Sequence, residues 1–201
     1  VIALSGGPDS VYLFHHLLAC RQDHDLRLEA CHLHHGLREN ADGDLAFVRD
    51  LCQKSQVPLH ERKEDVIGYA KKKKISIEEA GRILRYKFFY ELAGGDYISL
   101  GHHQGDQAET VLIRLVRGTG IKGLGGMRTL EGQIFRPLLD ISKEEILAWL
   151  DSQGLAYRID ETNLEPMYLR NKMRLEVIPS LEEINPQVSQ ALTSLASQAR
   201  E

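Results

Sequence analysis

The stretch VIALSGGPDS, residues 1–10, decides how the rest of the chain is interpreted. Its first four residues are apolar and predict a short buried strand, which the adjacent Gly6 and Gly7 bring to an end. The next apolar run, residues 11–20, is long enough for a helix that packs on this strand. A strand that turns through glycines into a helix is typical of the first unit of an open parallel sheet.

Strand and helix patterns continue to alternate along the chain. We expect further strands at residues 26–35, 57–65, 96–103 and 133–140. Helical patterns cover residues 42–56, 76–95, 104–118 and 142–154, and two terminal helices are expected at 170–184 and 186–201. The alternation predicts an α/β fold with a Rossmann-like open parallel sheet, helices on both of its faces, and additional C-terminal helices.

A second glycine-rich stretch, GTGIKGLGGM, covers residues 118–127 and holds five glycines in ten residues. We expect no regular helix or strand there. Such a stretch is typical of a loop that is mobile or that wraps around a ligand. The run Lys71–Lys74 is expected to be a solvated surface.

The composition limits the class of protein. The chain has 201 residues, 42% of them apolar and 27% charged, as in ordinary soluble domains, and no apolar run is long enough to span a membrane. Cys20, Cys31 and Cys52 form no Cys-x-x-Cys motif, which disfavours a zinc or iron–sulfur site and suits a reducing cytosol. A net charge of −4 argues against non-specific coating of nucleic acid but leaves room for local basic patches. Because the chain begins at Val1 on a strand, we expect it to be a fragment.

The chemistry of the first loop suits a phosphorylated ligand. Ligands of open parallel sheets bind at the carboxyl ends of strands, where Ser5, Gly6 and Gly7 stand. Glycines let backbone N–H groups approach an anion, and the following helix adds its positive end. Asp9 repels phosphate unless a Mg²⁺ ion bridges the two, while Ser5 and Ser10 offer hydroxyl groups. The set favours pyrophosphate with a metal, and the alternative is a glycine turn capped by Asp9; with no Lys in the loop, it is not a Walker A motif.

The loop resembles the PP-loop of the N-type ATP pyrophosphatases, and the remaining motifs narrow the resemblance. These motifs are HLHHGLRENADGD at 32–44, SIEEAGRILRYKFF at 76–89, GHHQGDQAETVLIRLVRGTGIKGLGGM at 101–127, FRPLL at 135–139, DETN at 160–163 and YLRNKMRLEVIPSLEEINP at 168–186. In this order they resemble the N-terminal catalytic domain of the tRNA(Ile)-lysidine synthetase family, from Val1 to about Asn185.

The resemblance implies an adenine nucleotide alpha hydrolase-like fold and a cytoplasmic ligase that forms a C–N bond. In that family ATP adenylates the C2 carbonyl oxygen of the cytidine at the first anticodon position of tRNA(Ile) with anticodon CAU. Pyrophosphate leaves, and the amine of L-lysine then attacks C2 and displaces AMP. The family also implies a catalytic domain at residues 1–185, a helix at 186–201 that leads toward a C-terminal tRNA-binding domain, and a homodimer.

The resemblance assigns roles to residues of this sequence. The expected ATP- and pyrophosphate-binding residues are Ser5, Gly6, Gly7, Asp9, Ser10, His34, His35, Gly101 and His102. We expect His34, His35, His102 and His103 at the ends of two neighbouring strands, where they would contact ribose, adenine or cytidine. The alternative is that one histidine of each pair is only a satisfied strand end; a zinc site lacks a thiolate and a clear third ligand.

Four residues are expected to be catalytic: Asp9, Asp106, Glu109 and Arg82. Asp106 and Glu109 are three apart near a helix start and therefore share a face. Two carboxylates there suit Mg²⁺, for which Asp9 and Asp106 are the candidate ligands, or the ammonium of lysine, whose proton they would help to remove. The alternative is a pair of acids that only complements the helix dipole. Gly105 stands where the family usually has an Asp, which places the weakest point of the resemblance at this site.

Basic residues supply the expected substrate contacts. Arg82, Arg85 and Tyr86 share a helical face that borders the active site in the family, or they form a solvated face with Tyr86 in the core. Between Arg114 and Arg136 only Glu131 is acidic, which predicts a patch for the tRNA backbone or the triphosphate. The candidate tRNA- and substrate-binding residues are Arg85, Arg114, Arg117, Lys122, Arg136, Arg170, Asn171 and Arg174.

Two other functions stay open. Gly105 is consistent with a PP-loop protein that binds nucleotide or tRNA but has lost catalysis. A PP-loop tRNA thiolase is disfavoured, because such enzymes generally carry Cys-x-x-Cys motifs and a nucleophilic cysteine, and this chain has neither arrangement.

Overall fold

The computed structural model describes residues 1–34, 41–159 and 169–200, and all structural statements concern these ranges. They form two compact units. The first comprises Val1–Leu100 with Gly132–Phe135, and the second comprises Gly101–Glu131 with Arg136–Glu201. The predicted division at residue 185 is a different one, and the predicted domain organisation stays a prediction.

The first unit carries a parallel sheet. Its strands are β1 (Ile2–Ala3), β2 (Ala30–His34), β3 (Leu59–Lys63), β4 (Ile98–Ser99) and β6 (Ile134–Phe135), and a short β5 (Leu130–Glu131) belongs to the second unit. The order in the first unit is β3-β2-β1-β4-β6, with every one of these pairs parallel. The register pairs Ile2 with both Ala30 and Ser99. The α/β fold with an open parallel sheet is therefore confirmed.

One prediction about this sheet is wrong. The strands that precede the two histidine pairs were expected to be neighbours, but β1 lies between β2 and β4 and pairs with both. The reason is that β2 and β3 extend the sheet on one side of β1 and β4 and β6 extend it on the other, as at the switch point of a doubly wound sheet, so consecutive strands are not all adjacent.

Four helices of the first unit connect and cover its strands: α1 (Pro8–Ala19), α2 (Ala41–Lys54), α3 (Val66–Lys73) and α4 (Ile77–Ala93). A core forms where α4 buries Leu84, Phe88 and Phe89 together with Ile98 and Leu100. Ser76 caps α4 by accepting a hydrogen bond from the Glu79 N–H at 3.1 Å, as its spacing predicts. Helix α3 was not predicted, and the lysines at its end are exposed, as expected of a solvated run.

The second unit is mainly helical. Its helices are α5 (Gln104–Val116), α6 (Ile121–Leu124), α7 (Lys143–Ser152), α8 (Leu169–Lys172), a π-helical turn (Met173–Val177), α9 (Ile178–Ile184) and α10 (Val188–Gln198). Ser142 and Glu145 form a capping box at the start of α7. The expectation that residues 118–127 hold no regular element is wrong, since α6 lies among them. Helix α10 packs against α5 and α9 and buries Thr193 and Ala196. Within the described ranges no helix is long and apolar enough to cross a bilayer.

Candidate functional site

The loop after β1 is held in shape by its two serines. The Ser10 hydroxyl donates to the Gly7 carbonyl at 2.9 Å and lies 3.1 Å from the Ser5 hydroxyl, while the Ser5 N–H donates to Ser10 Oγ at 3.2 Å. Gly6 has a φ of 90°, a conformation that residues with a Cβ rarely adopt. The loop is thus closed by its own side chains, and Ser5 is exposed while Ser10 is buried.

Helix α1 begins directly from this loop without a side-chain cap. Its N-cap is Gly7, its first residue is Pro8, and Asp9 lies in the first turn. The N-cap residue of α1 is thus Gly7 and not Asp9. A glycine at the N-cap has no side chain to accept from the first turn, and the helix dipole adds positive potential, so this helix start suits an anion.

The histidines at the end of β2 are buried polar groups. His34 Nε2 lies 3.2 Å from an oxygen of Asp42, whose side chain is exposed, and His35 lies outside the described residues. His32, which the sequence analysis did not single out, places Nδ1 2.8 Å from the Leu4 carbonyl and thereby ties β2 to the end of β1. Burial lowers the pKa of His32 below its ordinary value, against smaller opposing effects that include this hydrogen bond, so a neutral ring fits this position.

His103 in the second unit has a structural task. Its Nδ1 accepts the Gly105 N–H at 3.0 Å, and its own N–H donates to Asp106 Oδ2 at 3.0 Å, so the two residues form the capping box of α5. A Cβ added at Gly105 would lie 2.8 Å from His103 Cε1. Glycine at the position of the family's usual Asp therefore leaves room for the histidine cap.

Asp106 and Glu109 lie on one face of α5, as predicted, and two arginines hold them there. Glu109 Oε2 accepts from Arg170 Nε at 2.7 Å, and Glu109 Oε1 accepts from Arg174 Nε at 2.5 Å. Arg174 also donates to Asp106 Oδ1 at 3.1 Å, and Arg170 Nη2 lies 3.7 Å from the same oxygen. Both arginines were predicted to bind tRNA or substrate. Their pairing with carboxylates more than sixty positions away is a tertiary contact that no local pattern signals.

The backbone after residue 169 brings these arginines to the carboxylates. Arg170 lies in α8 and Arg174 in the π-helical turn that follows without a break. Residues four apart in a helix share a face, so both guanidinium groups reach Glu109 together. The Glu109 side chain is 2% exposed, whereas those of Arg170 and Arg174 are 31% and 38% exposed.

The charges in this cluster balance. Burial by itself would raise the pKa of Asp106, but His103, His102 and Arg170 together with the His103 N–H outweigh it and hold that pKa below its ordinary value. Asp106 is therefore ionised at neutral pH. Both oxygens of each carboxylate accept from or face a donor, and the assignment of Asp106 as a Mg²⁺ ligand stays a prediction. Among the described residues no group of three or more His, Cys, Asp or Glu side chains is placed to hold a metal ion.

The remaining candidate substrate-binding residues divide into exposed and inward-facing side chains. On α4, Arg82 and Arg85 are exposed, and the Arg82 guanidinium lies 5.4 Å from the centre of the Tyr86 ring. Arg117 and Lys122 are exposed in the second unit. Asn171 is half-buried.

Arg114 and Arg136 face inward. Arg114 donates to the carbonyls of Gly123 and Gly126 at 2.8 and 2.9 Å. Arg136 is buried and donates to the Arg128 carbonyl and to Glu131 at 3.1 and 3.2 Å. A contact of Arg136 with tRNA would require this side chain to leave its partners.

Comparison with known proteins adds a family to this geometry. A family model described as the PP-loop domain matches residues 1–181. A tRNA(Ile)-lysidine synthase of Parabacteroides distasonis is 46% identical over 92% of this chain and 42% of the relative. Similar proteins of the same name from Clostridium tetani and Petrotoga mobilis are 43% and 39% identical, over 91% and 98% of this chain and 40% and 64% of the relatives. The chain thus spans between two fifths and two thirds of the length of these relatives.

Solved structures with low sequence identity share the fold. The U34-tRNA thiolase of Methanococcus maripaludis superposes with a TM-score of 0.78 at 18% identity, over 98% of this chain and 69% of that chain. An NH3-dependent NAD synthetase from Campylobacter jejuni superposes with a TM-score of 0.52 at 16% identity, over 98% of this chain and 83% of that chain. At such identities the likeness describes the fold alone.

Proposed function

This chain belongs to the PP-loop domain family, and we propose that it catalyses ATP-dependent ligation of L-lysine to C2 of the cytidine at the first anticodon position of tRNA(Ile) with anticodon CAU. Membership of the family supports the use of ATP, and the names of the similar proteins support lysidine as the product. The single observation that carries the proposal is the pair of carboxylates, Asp106 and Glu109, that two arginines fix on one face of α5. A fixed pair of negative charges is what an incoming ammonium group requires.

The loop supplies the ATP end of the reaction. Pyrophosphate oxygens would accept from the Ser5 and Ser10 hydroxyls and from the N–H groups at the start of α1. When bound there, Mg²⁺ held by Asp9 and phosphate oxygens would neutralise the charge that leaves with pyrophosphate. Asp9 and Asp106 stay the candidate ligands of that ion. The family resemblance adds His34, His35, Gly101 and His102 to the nucleotide contacts, and Arg82 to the catalytic residues.

The carboxylates of Asp106 and Glu109 are the proposed binding site for lysine. An ammonium group entering the cluster would take over carboxylate oxygens that Arg170 and Arg174 now occupy, and the released guanidinium groups match the carboxylate of lysine. Because the pKa of Asp106 is lowered, this carboxylate is a weak base. We therefore assign to Asp106 the binding of lysine and not the removal of its proton.

The tRNA contacts belong to exposed basic residues. Arg85, Arg117 and Lys122 are exposed, and phosphate groups attract Lys and Arg irrespective of sequence. We place the reaction in the cytoplasm, and we keep a homodimer and a further tRNA-binding domain as parts of the proposal.

A tRNA thiolase is the less suitable function. Its chemistry needs a reactive thiolate, but burial raises the pKa of Cys31 to about 12 and that of Cys52 to about 11. Cys20 is exposed and forms no Cys-x-x-Cys motif with another cysteine of the chain. The Cys31 and Cys52 thiols are therefore poor nucleophiles at neutral pH, which disfavours both as the reactive thiolate of a sulfur transfer.

Pyrophosphate release tests the proposal. The protein is incubated with ATP and a tRNA(Ile) transcript, with and without lysine, and pyrophosphate, AMP and tRNA-bound lysine are measured. We expect AMP release and lysine incorporation to require both tRNA and lysine. ATP binding without any turnover would support the catalytically impaired alternative that Gly105 suggests.

A further inference from the structure

The glycine-rich segment 118–127 is held by side chains that come from outside it. Three residues of the second unit donate to its backbone: Gln107 and Arg114 of α5, and Arg200, which follows α10. The glycines of this segment predicted a mobile or ligand-wrapping loop. Instead the backbone of residues 123–127 is tied at four carbonyl groups and one N–H group by side chains from outside the segment.

Gln107 ties the end of this segment to the carboxylate helix. Its side chain is completely buried, donates to the Met127 carbonyl at 2.9 Å and accepts the Met127 N–H at 2.8 Å. A side-chain amide that satisfies both backbone groups of one residue replaces a strand partner, so Met127 is fixed in position and orientation. Gln107 stands between Asp106 and Glu109 in α5. Its hydrogen bonds therefore fix the position of Met127 relative to the helix that carries the two carboxylates.

Arg200 also donates a hydrogen bond to the backbone at Met127. Its Nη1 donates to the Met127 carbonyl at 2.5 Å and lies 3.3 Å from the Gly125 carbonyl. This residue lies beyond the part of the chain that the PP-loop model matches. It is carried by α10, which packs on α5. The terminal helix thus contributes to the same unit as the carboxylates.

Basic side chains of the segment and of the residues beside it are exposed. Arg117, Lys122 and Arg128 are exposed, whereas Arg114 and Arg200 are partly buried against the backbone. The inner arginines have carbonyl partners, while the outer basic side chains are available to an anion. A polyanion bound across a preordered backbone does not have to order that backbone first, so its affinity is higher.

We infer that Gln107 and Arg200 are positioning residues that hold segment 118–128 as a preordered contact surface for RNA phosphate groups. The inference rests on the proposed function for the identity of the RNA. It assigns to α10 a role in substrate affinity, although α10 contributes no residue to the loop after β1 or to the carboxylate cluster.

Arg200→Met and Arg200→Lys test the inference as a pair. Methionine keeps the stem and removes the donors, while lysine keeps one charged donor. We expect amide exchange at Met127 and its neighbours to accelerate about tenfold in Arg200→Met, the effect of one lost hydrogen bond. The affinity for tRNA is expected to fall severalfold while that for ATP changes less than twofold, and Arg200→Lys should restore most of both.

Two glycines provide a matched control. Gly126 and Gly132 both have a φ of +59°, so an alanine pays the same backbone strain at either position. A Cβ at Gly126 would lie 2.6 Å from Gln107 Oε1, whereas nothing lies within 4 Å of one at Gly132. Gly126→Ala should therefore accelerate exchange at Met127 and weaken tRNA binding, and Gly132→Ala should do neither.

The affinities for tRNA and ATP are measured directly, so the test of this inference does not depend on catalytic activity. Unchanged exchange at Met127 in Arg200→Met and Gly126→Ala would overturn the positioning role. Faster exchange with unchanged tRNA affinity would overturn the contact surface. A wild-type protein that binds tRNA in this manner but forms no lysidine would contradict the proposed function and leave the inference supported.

Discussion

Replacing Glu109 by glutamine removes one charge from the cluster and keeps the size of the side chain. Glu109 is 2% exposed and accepts from Arg170 and Arg174 at 2.7 and 2.5 Å. Glutamine would present an NH2 group to one guanidinium and would leave two cations facing one remaining carboxylate, that of Asp106. The cost of breaking a buried pair is about 3–5 kcal/mol.

The exposure of the two arginines decides where in this range the loss of unfolding free energy lies. Their side chains are 31% and 38% exposed, so each regains water when its partner is lost. We therefore expect the lower end, about 3 kcal/mol. For a chain of this length such a loss lowers the melting temperature by about 6–12 °C.

Thermal unfolding followed by circular dichroism measures this shift. The matched control is Glu183→Gln, the same substitution at an exposed position of α9 in the same unit, where a change within about 0.5 kcal/mol is expected. If Glu109→Gln melts together with Glu183→Gln, the two ion pairs contribute nothing to stability and the reasoning about the cluster is refuted.

Three further predictions concern the cap, the cluster and the loop. Asp106 has a lowered pKa in the folded chain, so its contribution to stability is complete above the ordinary carboxyl pKa of about 4 and is lost as the pH falls through the lowered value. Denaturant unfolding should accordingly find a stability gap between wild type and Asp106→Asn at pH 7 that narrows in acid, and a gap independent of pH would contradict the lowered pKa. Gly105→Ala should not stabilise α5 by the roughly 1 kcal/mol that alanine gains over glycine in a helix, because its Cβ meets the His103 ring; a melting temperature raised by several degrees would mean that the ring gives way freely. Ser10→Ala removes the hydroxyl that joins Ser5 to the Gly7 carbonyl, and titration calorimetry should find ATP affinity weakened by up to about tenfold, whereas unchanged affinity would remove Ser10 from the nucleotide site.

Local features of the structure could be predicted from sequence. The strand–glycine–helix pattern at residues 1–20 predicts the start of the sheet, and the caps at Ser76 and Ser142 depend only on residues three positions away. The shared face of Asp106 and Glu109 follows from helical spacing alone. Each of these rests on contacts within a few residues, which a pattern records directly.

Non-local features could not be predicted in the same way. The position of β1 between β2 and β4 depends on strand order, which no single segment encodes. The pairing of Arg170 and Arg174 with Glu109, and that of Arg200 with Met127, join residues more than sixty positions apart. Basic residues that count as one patch in sequence therefore separate into inward braces and outward contacts only in the folded chain.

Stoichiometric incorporation of lysine tests the proposed reaction most directly. The protein is incubated with labelled lysine, ATP and a tRNA(Ile) transcript with anticodon CAU, and AMP, pyrophosphate and tRNA-bound lysine are counted together. Ligation at the first anticodon position predicts that one AMP and one pyrophosphate appear for each lysine attached, and that a transcript with another base at that position accepts none. Pyrophosphate release without attached lysine, or attachment that does not depend on the cytidine, would contradict the assignment.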